Sequence, residues 1–167
     1  MKNSIVATLL ALSLAACSSL PGPSVPAPAV EPDAVALAAE ADLQALLLQE
    51  PDSAAALNAL GYILADRTER YQEALALIDR ARLAEPDNAA IIDSYGWVLY
   101  RLGQLLPALE QLQRAWSLQR EAEIGAHLAQ VLLDLGRGQQ AREIYRQARE
   151  LDPENRAVQA LHDRLGR

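Results

Sequence analysis

Residue types that could catalyse a reaction or bind a metal are few and widely spaced in this sequence. Its 167 residues include two histidines, His127 and His162, and one cysteine, Cys17. A zinc site uses about three or four protein ligands, and the sequence contains no HExxH, G-x-S-x-G, P-loop or GxGxxG pattern. Acidic residues recur at helix-surface spacings, such as Glu150 and Glu154. We therefore predict no catalytic residue, no metal and no cofactor, and a protein that is not an enzyme.

The one cysteine follows a segment typical of a secretory signal. The first three residues carry a positive charge, the stretch 5–16 is apolar, and the segment ends in the sequence LAAC, residues 14–17. As a helix, the apolar stretch would span about 18 Å, whereas the hydrocarbon core of a membrane is roughly 30 Å thick. A cleaved signal is therefore favoured over a transmembrane helix.

The sequence LAAC resembles the lipobox of bacterial lipoprotein signals. This resemblance implies removal of residues 1–16 and acylation of Cys17 by diacylglycerol and a further chain such as palmitate. Ser18 follows the cysteine, which in similar Gram-negative lipoproteins implies transport to the outer membrane. Residues 17–33 are rich in Pro, Ser and Ala. We expect them to form a lipidated and disordered linker at the periplasmic face of the outer membrane. An ordinary signal with an incidental cysteine is the alternative.

Composition and charge restrict the class of the remaining chain. Hydrophobic residues make up 51% of the sequence, aromatic residues only 4%, and phenylalanine is absent. The core must therefore consist mainly of Ala and Leu, which lead the helix-propensity ranking. The net charge of −7 and the pI near 4.8 disfavour nucleic-acid binding, because that binding depends on basic residues.

An internal repeat of about 34 residues begins after residue 53. When Gly61 and Gly96 are aligned, the blocks 54–88, 89–121 and 122–155 share small and larger apolar residues at equivalent positions. These residues are Gly61, Gly96 and Ala129; Ala74, Ala108 and Ala141; Ile78, Leu112 and Tyr145; and Ala81, Ala115 and Ala148. Small side chains at such intervals let paired helices approach closely. Pro-Asp ends the first block, whereas Arg120 replaces the proline in the second.

This pattern resembles the tetratricopeptide repeat (TPR), a helix–turn–helix unit. The resemblance implies an all-α, right-handed α-solenoid over residues 34–167. A half-repeat at 34–53 would precede the three repeats, and a capping helix at 156–165 would close the stack through its apolar face. An extra residue within 65–70 should make the first turn bulge. The half-repeat, whose partner helix is missing, would either cap the stack or form a dimerisation surface.

In the TPR family the first helices of the repeats line a concave face that binds peptide segments. Carried over by position, the resemblance assigns partner binding to Asn58, Tyr62, Asp93, Trp97, Tyr100, Arg101, His127 and Gln130. Aromatic residues beside an arginine are typical of binding hot spots. Alternatively, Trp97 and Tyr100 pack between helices, as we expect of Tyr95 and Trp116.

The charges on that face indicate what kind of partner it would accept. Chaperone-binding TPR domains clamp an acidic carboxyl terminus with Lys, Asn and Arg, but the only lysine here is Lys2, inside the predicted signal. Acidic residues outnumber Arg101 on the face; they are Asp66, Asp93, Glu123 and Asp134. We therefore predict a partner segment with apolar anchors and some basic character.

Residues 60–67 and 93–103 resemble the C-terminal repeats of long TPR lipoproteins of Gram-negative outer membranes. Some of these act as adaptors that bind periplasmic processing proteases and deliver substrates. The resemblance implies a non-catalytic scaffold or adaptor, anchored to the outer membrane, that binds such a protease or its substrate. The alternatives are an accessory lipoprotein of pilus, secretion or envelope assembly, a self-assembling structural lipoprotein, and an envelope hydrolase.

Overall fold

The computed structural model of the chain describes residues 32–166, and every regular element in that range is an α-helix. The longer helices are α1 (Pro32–Gln49), α2 (Ala54–Arg67), α3 (Tyr71–Ala84), α4 (Ala89–Arg101), α5 (Leu105–Leu118), α6 (Ala122–Asp134) and α7 (Gly138–Leu151). Two short helices follow, α8 (Arg156–Ala160) and α9 (His162–Leu165). The predicted signal peptide 1–16, Cys17 and the linker up to residue 31 lie outside the described residues. Helix α1 begins inside the segment assigned to the linker.

Neighbouring helices form pairs, and the pairs stack in sequence order. The most extensive contacts join α2 with α3, α4 with α5 and α6 with α7. The second helix of one pair also contacts the first helix of the next, as α3 contacts α4 and α5 contacts α6. The first helices form a row in which α2 touches α4, α4 touches α6 and α6 touches α8; we call this row the inner layer. The arrangement confirms the predicted all-α solenoid.

Glycines at the predicted positions bring the two helices of a pair close together. A Cβ atom added to Gly61 would lie 2.5 Å from Cγ1 of Ile78, and one added to Gly96 would lie 2.7 Å from Cγ of Leu112. Both partner side chains are fully buried. A larger residue at either glycine would therefore push α2 from α3, or α4 from α5.

The third pair uses a different glycine for its close approach. Here the equivalent residue is Ala129, and the tight contact is made one turn earlier at Gly125. A Cβ atom on Gly125 would lie 2.8 Å from Cβ of Ala148 and 2.9 Å from Cζ3 of Trp116. Trp116 is buried against this position, which confirms that it packs between helices.

The turns inside the second and third pairs depend on glycines with left-handed backbone. Gly103 and Gly136 have φ values of 76° and 75°, a region that costs other residues energy. In the first pair, the turn is instead stabilised by Thr68, whose hydroxyl donates to the carbonyl oxygen of Leu64 at 2.5 Å. The predicted bulge in this turn is wrong: α2 is one residue longer than α4, so the extra residue is accommodated in the helix.

Arginine side chains form hydrogen bonds across the junctions between successive helix pairs. Arg114 on α5 donates to the carbonyl oxygen of Pro86 at 3.0 Å and to the carboxylate of Asp87 at 2.7 Å. Arg80 makes the same two kinds of contact one pair earlier. At the third junction, Arg120 stands where proline is expected and donates forward to α7. A hydrogen bond across the junction is thus kept, but here the donor arginine precedes its acceptor in the chain instead of following it.

The C-terminal cap consists of two short helices, where a single helix was predicted. They meet at Leu161, the residue between α8 and α9. Val158, Leu161 and Leu165 are buried against the last pair, as the sequence predicted. None of the helices within residues 32–166 is long and apolar enough to cross a membrane.

Candidate functional site

The predicted partner-binding residues lie on three neighbouring helices of the inner layer. Asn58 and Tyr62 are on α2, four further residues are on α4, and His127 and Gln130 are on α6. Tyr62, Trp97, His127 and Gln130 line a common cavity of about 160 Å³. Asn58, Tyr62 and Asp93 line a second cavity of about 150 Å³. Tyr62 thus borders both cavities.

His127 and Asp93 form a buried pair between α6 and α4. Nδ1 of His127 donates to the Asp93 carboxylate at 2.9 Å from Oδ2 and 3.1 Å from Oδ1. Burial alone would lower the pKa of His127, but the charge and hydrogen bonds of Asp93 oppose it, and the pKa is raised above its ordinary value. The two residues are 3% and 5% exposed. The prediction that they contact a partner directly is therefore corrected: their polar atoms satisfy each other.

Trp97 lies in an aromatic stack on the inner layer. Its ring stacks on His127 with a centroid distance of 4.1 Å and on Tyr100 with one of 4.9 Å. Trp97 is half-buried as a residue, but its Nε1 atom is fully buried and has no hydrogen-bond partner among the described residues. Trp97 and Tyr100 therefore pack against their neighbours and also leave part of their surface at the cavity.

A hydrogen bond from Tyr62 to Glu123 spans the inner layer from α2 to α6. The hydroxyl donates to Oε1 of Glu123 at 2.5 Å. Burial raises the pKa of Tyr62, and the hydrogen bond to the carboxylate raises it further. Because α4 lies between these helices in sequence and in the row, contact between α2 and α6 shows that the inner layer is strongly curved.

The C-terminal cap closes the same face from the opposite end. Arg156 on α8 forms an ion pair with Asp66 on α2, and both line the first cavity. Arg164 on α9 donates to Gln130 at 2.9 Å and to Asp134 at 2.8 Å. The curved row of first helices is therefore bridged by side chains from the end of the chain.

Asp134 is the most heavily bonded acid on this face. Besides Arg164, it accepts hydrogen bonds from the Tyr100 hydroxyl at 2.8 Å and from the Gln130 amide at 2.6 Å. Partial burial raises the pKa of its carboxyl, but these donors, Arg164 foremost, outweigh burial and the pKa is lowered. Burial and the bond to Asp134 together raise the pKa of Tyr100.

All four acids predicted to attract a basic partner have internal partners. They are Asp66 with Arg156, Asp93 with His127, Glu123 with Tyr62, and Asp134 with Arg164. The acidic excess inferred from the sequence is therefore largely neutralised on this face. What the first cavity still presents is apolar surface from Trp97, Ala157 and Ala160.

Arg101 points away from the cavities toward the turn between α2 and α3. It donates to the Tyr71 hydroxyl at 2.8 Å and to the Asp66 carbonyl at 3.3 Å. Its guanidinium also lies over the Tyr71 ring, 4.9 Å from the centroid. A partner could engage Arg101 only by replacing these contacts.

The residues that the structure describes give no evidence of a metal-binding site. No group of three or more His, Cys, Asp or Glu residues within 32–166 is placed to hold an ion. The His127–Asp93 pair is enclosed by aromatic rings and by the helix contacts around it. Its evident role is to join α4 to α6.

Comparison with known families identifies the repeat. The family described as "Tetratricopeptide repeat" matches residues 37–90, and the family "Anaphase-promoting complex, cyclosome, subunit 3" matches residues 67–148. Residues 37–90 thus match the tetratricopeptide repeat, and the helices of residues 32–166 form a TPR-like α-solenoid. The solved structure of a thermophilic TPR protein from Thermus thermophilus is similar over 77% of this chain and 72% of its own, with a TM-score of 0.64 at 23% identity. The first TPR domain of human RPAP3 is similar over 70% and 91%, with a TM-score of 0.60 at 20% identity.

A curated relative is more similar in sequence over part of the chain. The "TPR repeat-containing protein PA4667" of Pseudomonas aeruginosa is 44% identical over 91 residues. The match covers 54% of this chain and 15% of the relative. The shared segment therefore corresponds to a small part of that protein's length.

Sequence reasoning missed the arginines of the cap. The sequence predicts that the cap meets the stack through its apolar face alone, whereas α8 takes the place of a first helix in a further TPR and brings Arg156 to the inner layer. Counting the TPR register past residue 155 would have placed Arg156 near the concave face. Nothing local in the sequence indicates that its partner is Asp66, 90 residues earlier.

Proposed function

We propose that this TPR protein is a non-catalytic scaffold that binds a periplasmic protein through its inner layer while held at the outer membrane by a lipid on Cys17. The observation that carries the binding role is the aromatic cavity bordered by Tyr62 and Trp97. Half-buried aromatic surface is typical of the anchoring centre of a protein interface.

The cavity indicates the chemistry of the partner segment. At about 160 Å³ it is suited to one apolar side chain. The TPR of Spaghetti (RPAP3), 19% identical to this chain, was solved with the HSP90 peptide SRMEEVD. An acidic peptide of that kind does not suit the present face, because the arginines of this face, Arg101, Arg156 and Arg164, are already bonded to groups of this chain.

The partner we favour is a periplasmic processing protease or one of its substrates. The support is the resemblance of residues 60–67 and 93–103 to TPR lipoprotein adaptors. An accessory role in pilus, secretion or envelope assembly is the second candidate. It would use the same cavity and differ only in the protein that is bound.

The binding role is tested by crosslinking the chain to its neighbours in cell envelopes and identifying them by mass spectrometry. The variant Trp97→Ala with Tyr100→Ala should lose a specific partner that the unmodified chain retains. Leu106→Ala with Leu118→Ala is the matched control, because both leucines are exposed on α5 away from the cavities. Equal recovery of the partner with the cavity variant would reject the inner layer as the binding site.

The anchor is tested separately. The Cys17→Ser variant should lose incorporation of radiolabelled palmitate and move from the outer-membrane fraction to the soluble periplasmic fraction. The chain has no second cysteine, so residual labelling of this variant would contradict acylation at Cys17.

A further inference from the structure

The C-terminal helix α8 forms one wall of the first cavity. Its residues Ala157 and Ala160 line the cavity together with Tyr62 of α2 and Trp97 of α4. The two alanines are three residues apart and therefore lie on one side of the helix. Val158, on another side of α8, is buried against the last helix pair. The cap thus covers the end of the stack and also forms part of the candidate site.

Side chains on both sides of the cavity hold α8 in this position. Arg156, the first residue of α8, forms the ion pair with Asp66 on α2. Arg164 on α9 donates to two side chains of α6. Because these contacts determine where α8 lies, the width of the cavity beside it depends on the size of the side chains at Ala157 and Ala160.

The ionisable side chains that line this cavity are already paired. Asp66 and Arg156 form an ion pair with each other, and Tyr62 and His127 are hydrogen-bonded to acids of the inner layer. A charged side chain that entered the cavity would lose its water without gaining a free partner among these groups. The charges of the site therefore favour an uncharged, apolar side chain.

The volume and the walls of the cavity fit an aromatic ring. A cavity of about 150 Å³ with apolar walls is large enough to bind benzene, and the first cavity has a volume of about 160 Å³. Its walls include the aromatic rings of Tyr62 and Trp97. A pair of aromatic rings is more favourable than the buried area alone would predict. A phenyl ring is therefore favoured over an aliphatic side chain.

We propose that the first cavity binds a phenylalanine side chain of the partner segment, and that Ala157 and Ala160 determine which side chains fit. This inference rests on the proposed binding of a partner at the inner layer. The ring enters between α8 and Trp97, where the two alanine methyl groups leave space that larger side chains would fill. The chain itself contains no phenylalanine, so the ring comes from another protein.

The test uses the full chain in detergent micelles, with isotope-labelled alanine methyl groups observed by NMR. The probes are the peptides acetyl-GGFGG-amide, acetyl-GGLGG-amide and acetyl-GGKGG-amide. The phenylalanine peptide should shift the methyl resonances of Ala157 and Ala160, because the ring current of a nearby phenyl group acts on both. The leucine peptide should bind about threefold or more weakly, and the lysine peptide should leave both resonances unchanged.

Two matched variants test the role of α8 in this binding. Ala160→Leu should weaken binding of the phenylalanine peptide about tenfold or more, because the leucine fills the space beside Trp97. Ala84→Leu makes the same change at an exposed alanine of α3 and should alter the affinity by less than about twofold. Circular dichroism of each variant verifies that the helices are intact.

Four results would overturn the proposal. They are no shift of the two alanine resonances with the phenylalanine peptide, equal or tighter binding of the leucine or lysine peptide, unchanged binding by Ala160→Leu, and an equal loss with Ala84→Leu.

The partner recovered from cell envelopes distinguishes this proposal from the proposed function. If Ala160→Leu retains a partner that Trp97→Ala with Tyr100→Ala loses, the inner layer binds that partner, but the phenylalanine site is wrong. If the phenylalanine peptide binds as expected and no partner is recovered from envelopes, the proposed function fails and the phenylalanine site stands.

Discussion

His127 donates a hydrogen bond to Asp93 across 2.9 Å, and this buried pair joins two neighbouring helices of the inner layer. The Trp97 ring covers the imidazole at 4.1 Å, so water cannot readily replace either member of the pair. A buried ion pair adds little net stability relative to apolar residues, but loss of one member leaves the other charged or polar group without a partner. The pair therefore determines how α6 must be placed on α4.

We expect Asp93→Ala to lower the free energy of unfolding by about 3–5 kcal/mol, since it leaves His127 buried alone. Removing both, with Asp93→Ala and His127→Ala combined, should cost less than the sum of the two single changes. Urea denaturation followed by circular dichroism measures all three. The control is Glu110→Ala, an exposed residue of α5, with an expected change of about 0.5 kcal/mol or less. Additive single effects would mean that the two residues do not stabilise each other.

The stability of the protein should depend on pH through His127. Asp93, Glu123 and Asp66 surround its ring and raise its folded-state pKa above the ordinary value near 6.5. A raised pKa favours the folded state while the histidine is protonated. The contribution is therefore complete below about pH 6.5 and is lost as the pH rises through the folded-state pKa.

The measurement is the free energy of unfolding between pH 6 and pH 9. It should decline with a slope of at most about 1.4 kcal/mol per pH unit, the limit for one proton. His127→Gln should flatten this part of the profile. If the slope survives that substitution, a different group is responsible. The imidazole proton resonances, assigned with a His162→Gln spectrum, should give His127 a midpoint above its ordinary value.

The helix pairs could be predicted from the sequence, whereas contacts across the inner layer could not. Gly61 meets Ile78 and Gly96 meets Leu112 within one repeat, so a recurring pattern of small and large residues is sufficient to predict them. The curvature of the stack is the sum of small rotations between repeats, which no single residue determines. The ion pair of Asp66 with Arg156 depends on that sum.

The location of the candidate site could be predicted from the sequence, but the exposure and the pairing of its residues could not. Trp97, Tyr62 and Gln130 do border one cavity, because equivalent positions of adjacent first helices must be neighbours. Their exposure could not be predicted, since it depends on side chains that approach from α8 and α9. Asp93 and His127 occupy adjacent positions of the repeat, one in each of two successive repeats. An acid and a histidine at such positions are the sequence signal that could have predicted the buried pair.

Gly96→Ala should destabilise the protein although alanine is the better helix former. The added Cβ would lie 2.7 Å from Cγ and 3.0 Å from Cδ2 of Leu112, a fully buried side chain. Overpacking of this kind costs about 1–3 kcal/mol, which exceeds the gain of about 1 kcal/mol in helix propensity. We expect a net loss of about 1–2 kcal/mol by urea denaturation.

Gly138→Ala is the matched control for this overpacking. Gly138 also lies in a helix, but the nearest atom to its added Cβ is Nη1 of Arg142 at 3.7 Å, an ordinary contact. This substitution should leave stability unchanged or raise it by about 0.5–1 kcal/mol. Equal behaviour of the two variants would show that the close approach of α4 and α5 is not limiting.

Arg156→Ala should open the first cavity with little effect on folding. The guanidinium is 60% exposed, and exposed ion pairs contribute about 0–1 kcal/mol to stability. It is, however, the side chain that joins α8 to Asp66 beside Trp97. Its removal should let small solutes reach the indole more often.

In a Trp116→Phe background, Trp97 is the only tryptophan, and quenching of its fluorescence by acrylamide should increase. Arg146→Ala, which removes exposed ion pairs on α7 far from the cavity, should leave quenching unchanged. If quenching is the same with and without Arg156, the cap does not restrict access to Trp97, and a partner can enter the cavity without displacing the C-terminal helices.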